Sequence, residues 1–137
     1  MAGDYIHFQK TYSSKTTDLT ILAATTTQAY FILPKSANHR LYIQKVSIAI
    51  DVYAAVTWTL TDSAGTPVLV QIISIPAAAP ALPSESTGIV LDFGPTGLGL
   101  TTGEGLTLTL SGAGAAGRVH VEAYEKLIGP VAPASTN

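Results

Sequence analysis

The chain contains no cysteine and few charged residues. Of its 137 residues, 0 are Cys and only 12% are Asp, Glu, Lys or Arg, about half the charged share of an ordinary soluble protein. The lack of cysteine excludes disulfide bonds and thiolate metal sites. The 7 basic residues are scattered, and with 9 acidic residues they give a net charge of -2. Because no basic patch is visible, we expect no nucleic-acid partner.

Long apolar runs and targeting signals are also missing. No stretch approaches the ~18 apolar residues of a membrane helix, and the N-terminus lacks the basic-then-apolar order of a signal peptide. We therefore expect a chain that folds in a cytoplasm and has no membrane partner. Even so, 47% of the residues are hydrophobic and the mean hydropathy is +0.35, which is high for a monomer. The surplus apolar surface is expected in subunit interfaces.

No catalytic or metal-binding grouping is recognisable. There is no Gly-x-Ser-x-Gly motif, and the glycine-rich residues 94–105 lack the Gly-Lys-Ser/Thr ending of a phosphate loop. The tightest candidate metal pair is His120-x-Glu122, whose spacing places both side chains on one strand face. Both residues occupy the polar positions of a half-buried strand, where solvated side chains are expected in any case. We therefore interpret them as surface residues and not as metal ligands. We predict no enzyme, no cofactor and no metal site.

The sequence does contain a strong two-residue alternation. Leu106, Leu108 and Leu110 share one parity, and Thr107 and Thr109 share the other. Successive side chains of a β-strand point to opposite faces, so this segment predicts a strand with one buried and one solvated face. The pattern returns in the apolar residues 119, 121 and 123 after a Gly/Ala-rich turn. These features predict a scaffold or a binding surface.

Eight such segments predict the fold. They are residues 19–24, 28–33, 41–50, 54–61, 67–75, 88–93, 106–110 and 118–126. Without a convincing helix, they indicate an all-β, single-domain antiparallel β-sandwich, jelly-roll-like, with about eight strands. The predicted organisation is an N-terminal arm at 1–18, a sandwich domain at 19–127 and a flexible C-terminal tail at 128–137.

Two segments carry more detailed predictions. Residues 54–75 predict a hairpin in which Trp58 lies in the core and the apolar face continues through Val68, Val70 and Ile72. In residues 41–50 the apolar parity switches from odd to even positions. A β-bulge near Gln44 and Lys45, or a strand end buried on both faces, would explain the switch.

Two segments look suited to contacts with other proteins. The arm carries Tyr5, Ile6, Phe8 and Tyr12, followed by a predicted loop at residues 13–18. Residues 75–86 carry Pro76, Pro80, Leu82 and Pro83, and proline excludes this segment from a central strand. The segment is equally consistent with a long crossover loop packed on its own domain. We expect these eight residues to form protein interfaces.

The order of elements resembles small virion proteins of tailed bacteriophages. The resemblance rests on DFGP (92–95), LTTGEGLTLTLSGAG (100–114), GRVHVEAYEKL (117–127) and HRLYIQKVSIAID (39–51), and it covers residues 35–127. It implies a capsid decoration or cement protein that binds an assembled phage head in many copies. By this resemblance the partners are the major capsid protein or other virion proteins, and the location is the virion, assembled in the host cytoplasm. We expect a homo-oligomer, with a trimer favoured.

A second function remains open. The chain would also suit a receptor- or glycan-binding module of a phage fibre, or another head or tail accessory subunit. Aromatic residues such as Trp58, Tyr30, Phe31 and Tyr53 could then form a sugar-stacking platform, although the parity of Trp58 favours the core. The sequence alone leaves both possibilities.

Overall fold

The computed structural model describes residues 12–26, 29–79 and 88–128, and these residues form ten β-strands. The strands are β1 (Tyr12–Ser14), β2 (Thr17–Ile21), β3 (Ala29–Ile32), β4 (His39–Val52), β5 (Val56–Asp62), β6 (Val70–Ile75), β7 (Gly88–Asp92), β8 (Leu98–Gly99), β9 (Leu106–Leu110) and β10 (Ala116–Leu127). Within these residues, no helix is long and apolar enough to cross a membrane.

The strands form two antiparallel sheets. Sheet A has the order β1-β10-β4-β7, with β2 also paired to β10 and β8 also paired to β4. Sheet B has the order β3-β9-β5-β6. β1 and β2 together form one edge of sheet A, and β7 and β8 together form the other. Counted in this way, the chain crosses between the sheets at every step except the β5–β6 hairpin, which is the strand order of a jelly roll. The predicted all-β antiparallel sandwich is confirmed.

The first edge of sheet A extends further toward the N-terminus than predicted. β1 and β2 pair with β10 in one unbroken register, from Tyr12 opposite Lys126 to Ile21 opposite Gly117. Between the two strands, the Lys15 amide donates to the Ala123 carbonyl at 2.8 Å. The predicted loop at residues 13–18 is therefore wrong. Its polar residues belong to a sheet edge, where one face is solvated and polar side chains are expected.

The parity switch in β4 is a β-bulge at the predicted place. Against β10, Lys45 lies opposite Glu122 and Ile43 lies opposite Ala123, so Gln44 has no partner residue. This one extra residue restores the alternation. The apolar side chains on both sides of the bulge then point into the same core: Leu41, Ile43, Val46, Ile48 and Ile50 are all buried.

The predicted β5–β6 hairpin forms, but its second strand has the opposite parity from the prediction. Val56 pairs with Ile75, and Thr61 pairs with Val70. Leu69, Ile73 and Ile75 are buried, whereas Val68, Val70 and Ile72 are exposed. The reason is that residues 68–75 carry apolar side chains on both parities, so their sequence does not distinguish the two faces.

The core lies between the two sheets. Trp58 is fully buried, as predicted, and it is surrounded by aliphatic side chains from both sheets. The largest fully buried apolar side chains are Trp58, Leu41, Ile43, Ile48, Leu60, Leu100, Leu106, Leu108, Val46, Val119 and Val121. Burial of each of these side chains contributes about 1.5–3 kcal/mol, so stability depends on the register that directs them inward.

Three glycines of residues 94–105 lie in turns between β7 and β9. Gly94, Gly97 and Gly103 have φ angles of 82°, 80° and 83°, a region that L side chains rarely adopt. The prediction missed β8 within this segment, where Gly99 lies opposite Tyr42. A strand of two residues leaves too short an alternation to be seen in the sequence.

Two buried carboxylates tie loops to the sandwich. Asp62 is 2% exposed, and its Oδ2 accepts from the Thr101 amide at 3.1 Å, the Thr101 hydroxyl at 2.9 Å and the Val68 amide at 3.3 Å. Glu125 accepts from the Lys35 amide at 2.8 Å and lies 3.7 Å from Lys15 Nζ. Because burial makes a carboxylate costly unless it is hydrogen-bonded, each one strongly favours the loop positions seen here.

Deletion of Gln44 tests the bulge. Removing one residue turns the apolar side chains on one side of the deletion away from the core. We expect a loss of roughly 3 kcal/mol or more in the free energy of unfolding, since at least two buried side chains are affected. The control is Gln44→Ala, which keeps the register and loses only an exposed Nε2 to Pro95 carbonyl hydrogen bond of 2.7 Å. Urea unfolding measures both variants. Equal stabilities would contradict the assigned register.

Asp62→Ala tests the buried carboxylate. We expect it to lower the free energy of unfolding by about 2–4 kcal/mol, because two part-buried amides and a hydroxyl lose their acceptor. Asp92→Ala is the matched control, because the exposed Asp92 carboxylate accepts only from the Gly94 amide at 2.9 Å. We expect a loss below about 1 kcal/mol for this control. If the two variants are equally stable by urea unfolding, Asp62 does not hold its loops.

Candidate functional site

The outward face of sheet A presents ordered cross-strand rows of polar residues. In one row, Asp18 of β2 lies opposite His120 of β10, which lies opposite Ser47 of β4 and then Val90 of β7. The neighbouring row runs through Thr20, Arg118, Ala49 and Gly88. Cross-strand neighbours of this kind lie about 4.5–5.5 Å apart at Cβ, so residues distant in sequence share one surface.

A shallow depression of about 300 Å³ lies across these two rows. The depression lies where the side chains are smallest. Next to Arg118 of β10, the neighbouring strands carry only the methyl group of Ala49 on β4 and no side chain at Gly88 on β7. The depression is lined by Asp18, Ser47, Ile48, Ala49, Gly88, Ile89, Val90, Arg118 and His120. It therefore has an apolar floor on β4 and β7 and a polar wall on β2 and β10.

His120 is held by Asp18. Their Nδ1 and Oδ1 atoms are 2.6 Å apart, and His120 Nε2 lies 3.9 Å from Glu122 Oε2. An ionised carboxylate only accepts hydrogen bonds, so Nδ1 is the donor to Asp18. The distance to Glu122 is too long for a hydrogen bond. Within the described residues, no group of three or more His, Cys, Asp or Glu side chains is placed to hold a metal ion.

Tyr42 and Tyr124, on the same face, are engaged in internal contacts. The rings of Tyr42 and Tyr124 stack with centroids 4.9 Å apart, and Arg40 lies 5.5 Å from the Tyr42 centroid. The Tyr124 hydroxyl donates to the Thr96 carbonyl at 2.7 Å, and Arg40 Nε donates to the Leu100 carbonyl at 2.6 Å. This cluster holds residues 96–100 against the sheet.

The outward face of sheet B carries no charge in its described side chains. The four strands contain one charged residue, Asp62, and it points inward. The outward positions are occupied by threonines of β5 and β9 and by Val70, Ile72 and Ser74 of β6. Of the threonines, Thr107 is only 1% exposed. Val70 is 54% exposed and Ile72 is 60% exposed. These exposed apolar side chains lie on a strand face, whereas the contact residues expected from the sequence belong to the arm and the proline-containing segment.

The structure describes two of the eight predicted interface residues. Pro76 is exposed and directly follows β6, so it continues the apolar edge of sheet B. Tyr12 begins β1, where its backbone lies opposite Lys126. The other predicted interface residues lie outside the described residues: Tyr5, Ile6, Phe8, Pro80, Leu82 and Pro83.

The proposed aromatic platform is not present in the described side chains. Trp58 is fully buried, Phe31 is 9% exposed, and Tyr53 packs partly buried against the core. The side chain of Tyr30 lies outside the described part of the structure.

Sequence reasoning missed the depression and the contact between Asp18 and His120. Asp18 was assigned to a loop, and it lies 102 residues from its partner. Only the pairing of β2 with β10 brings the two side chains together. The sequence did contain one signal, the polar parity of residues 118, 120 and 122. This parity identifies the outward face of β10 but not the residues of β2 and β4 that lie beside it.

No protein-family model matches the chain, and no curated protein matches it significantly.

Proposed function

We propose that the chain is a structural subunit of a virion, a capsid decoration or cement protein of a tailed bacteriophage that packs the outward face of sheet B against neighbouring protein. The observation that carries the proposal is the charge difference between the two sheets. Sheet B exposes threonine, valine and isoleucine without a charged side chain, whereas sheet A carries charged residues on β2, β4, β7 and β10.

An uncharged, regular β-surface is well suited to lasting protein contact. Charged residues are depleted in the buried centres of interfaces, because each charge must be desolvated. Val70, Ile72 and Val68 are three exposed β-branched residues along β6 and the turn before it. β6 is also the edge of sheet B, where unpaired backbone groups favour association with a further chain.

The architecture is compatible with this role. Jelly rolls occur in viral capsid proteins and in lectins, so the fold alone does not decide between particle assembly and sugar binding. The likeness of residues 35–127 to small phage virion proteins favours assembly. The proposed partners are further copies of the chain, with a trimer favoured, and the major capsid protein.

A glycan-binding role is the second candidate, and a different observation supports it. The depression on sheet A combines an apolar floor with a wall of polar side chains, which is the usual composition of a small-molecule site. The two roles use opposite faces of the sandwich, so one chain can perform both.

Ile72→Lys tests the sheet B contact. A lysine at this position places a charge in the proposed interface, and we expect at least a tenfold loss of self-association or of binding to capsids assembled without this protein. Val90→Lys is the matched control, because Val90 is 59% exposed on the edge of sheet A and Ile72 is 60% exposed on the edge of sheet B. Light scattering over a dilution series and capsid co-sedimentation measure both. If Ile72→Lys changes neither, the proposed contact face is wrong.

Removal of residues 1–11 tests the arm. The truncation ends before β1 and keeps Lys15, which pairs with Glu125, so we expect the melting temperature to remain within a few degrees. Capsid co-sedimentation should fall at least tenfold, because Tyr5, Ile6 and Phe8 are lost. Replacing only these three residues with serine in the full chain is the control for chain length. Unchanged capsid binding by both variants would exclude the arm as a contact.

A further inference from the structure

The depression on sheet A has a floor suited to the apolar face of a small ring. Ala49 and Gly88 lie opposite each other on β4 and β7, and Val90 adds an exposed apolar side chain. Ile48 and Ile89 also line the depression, but their side chains pack into the core on the other face of the sheet, so they contribute backbone to the floor. At about 300 Å³ it lies at the lower end of the range for small-molecule pockets. The ligand that it fits is therefore small, of the size of a sugar residue.

The wall of the depression has one free positive charge. Asp18 is engaged by His120, whereas the exposed Arg118 has no ion-pair or hydrogen-bond partner among the described residues. Guanidinium groups bind carboxylates through two parallel hydrogen bonds. A ligand with one carboxylate would complement this charge.

Three further groups on the wall suit hydroxyl groups. His120 Nε2 has no hydrogen-bond partner among the described residues: Nδ1 faces Asp18, and Glu122 is 3.9 Å from Nε2. Ser47 offers a hydroxyl on the neighbouring strand, and the Asp18 carboxylate, whose side chain is 77% exposed, has acceptor sites beyond the one used by His120. These donors and acceptors surround the polar edge of the apolar floor.

We propose that this depression binds a carboxylate-bearing saccharide, a uronic acid or a related acidic sugar. Its carboxylate pairs with Arg118, its hydroxyl groups hydrogen-bond to Asp18, Ser47 and His120, and the apolar C–H face of the ring lies over Ala49 and Gly88. The inference rests on the glycan-binding role proposed above as the second candidate, whose ligand class it names, and it uses none of the residues proposed for the sheet B contact. Failure of either proposal therefore leaves the other standing.

A titration with D-glucuronate followed by ¹H–¹⁵N NMR tests the site. We expect saturable shifts confined to residue 18 and residues 47–49, 88–90 and 118–120, with a Kd of about 1 mM or lower. D-glucose serves as the neutral sugar of the same shape, and acetate serves as the carboxylate without a ring. Both are expected to bind at least tenfold more weakly than glucuronate.

Two variants and one control locate the interaction. Arg118→Gln removes the charge at an exposed position, and Ala49→Leu fills the depression from the solvent side without touching the core. Each should raise the Kd at least tenfold. Lys45→Gln is the control, because Lys45 lies on the same face in the row of Glu122 and Asp92, outside the depression. It should change the Kd less than twofold.

Several results would overturn the proposal. Absence of saturable shifts with glucuronate would exclude the site. Equal binding of glucose, or binding unaffected by Arg118→Gln, would exclude carboxylate recognition. Equal binding of acetate would reduce the site to a simple anion site, and unchanged binding by Ala49→Leu would place the sugar elsewhere. The check on folding compares the NMR spectrum of each variant with that of the original chain. A folded variant keeps the original peak positions away from the substituted residue.

Discussion

The pairing of β4 with β10 determines the arrangement of the other strands. These are the two longest strands, with 14 and 12 residues, and they pair from Leu127 opposite His39 to Ala116 opposite Val52. On its other side, β10 pairs with β1 and β2, and β4 pairs with β7 and β8. An error of one residue in this central pair would reverse the faces of the whole sheet. The bulge at Gln44 prevents that error, because it keeps five apolar residues of β4 on the inward side.

Charge is distributed unequally between the sheets, and this inequality has a structural cause. Asp62 and Glu125 point inward, where backbone amides, a hydroxyl or Lys15 offset part of the cost of their burial. Asp62 accepts all its hydrogen bonds through Oδ2, and its buried Oδ1 has no partner among the described residues. The remaining charges of the strands lie in sheet A. Since sheet B needs no desolvation of charge to make a contact, association through it has a lower cost than association through sheet A. The proposed assembly face and the proposed ligand site follow from this difference.

The sequence was sufficient for the fold but not for the candidate site. Alternation in β9 and β10, the burial of Trp58 and the bulge in β4 were all predictable, because each depends on side-chain parity within one strand. The parity of β6 was wrongly predicted, since Val70 and Ile72 on one face compete with Ile73 and Ile75 on the other. The loop assigned to residues 13–18 was wrong because the polar residues of a solvated edge resemble those of a loop. The depression depends on the small size of Ala49 and Gly88 on adjacent strands, and such a pairing is not visible in either segment alone.

The two proposals are geometrically linked. The outward faces of a β-sandwich point in opposite directions, about 10 Å apart through the core plus the side chains on each side. A subunit that packs sheet B against a shell or against other copies therefore turns sheet A toward solvent. The row of Asp18, His120 and Ser47 and the row of Arg118, Ala49 and Gly88 would then lie on the accessible side of the assembly. Many copies held in this orientation would present many weak saccharide sites together, and multivalent attachment converts millimolar contacts into much tighter binding.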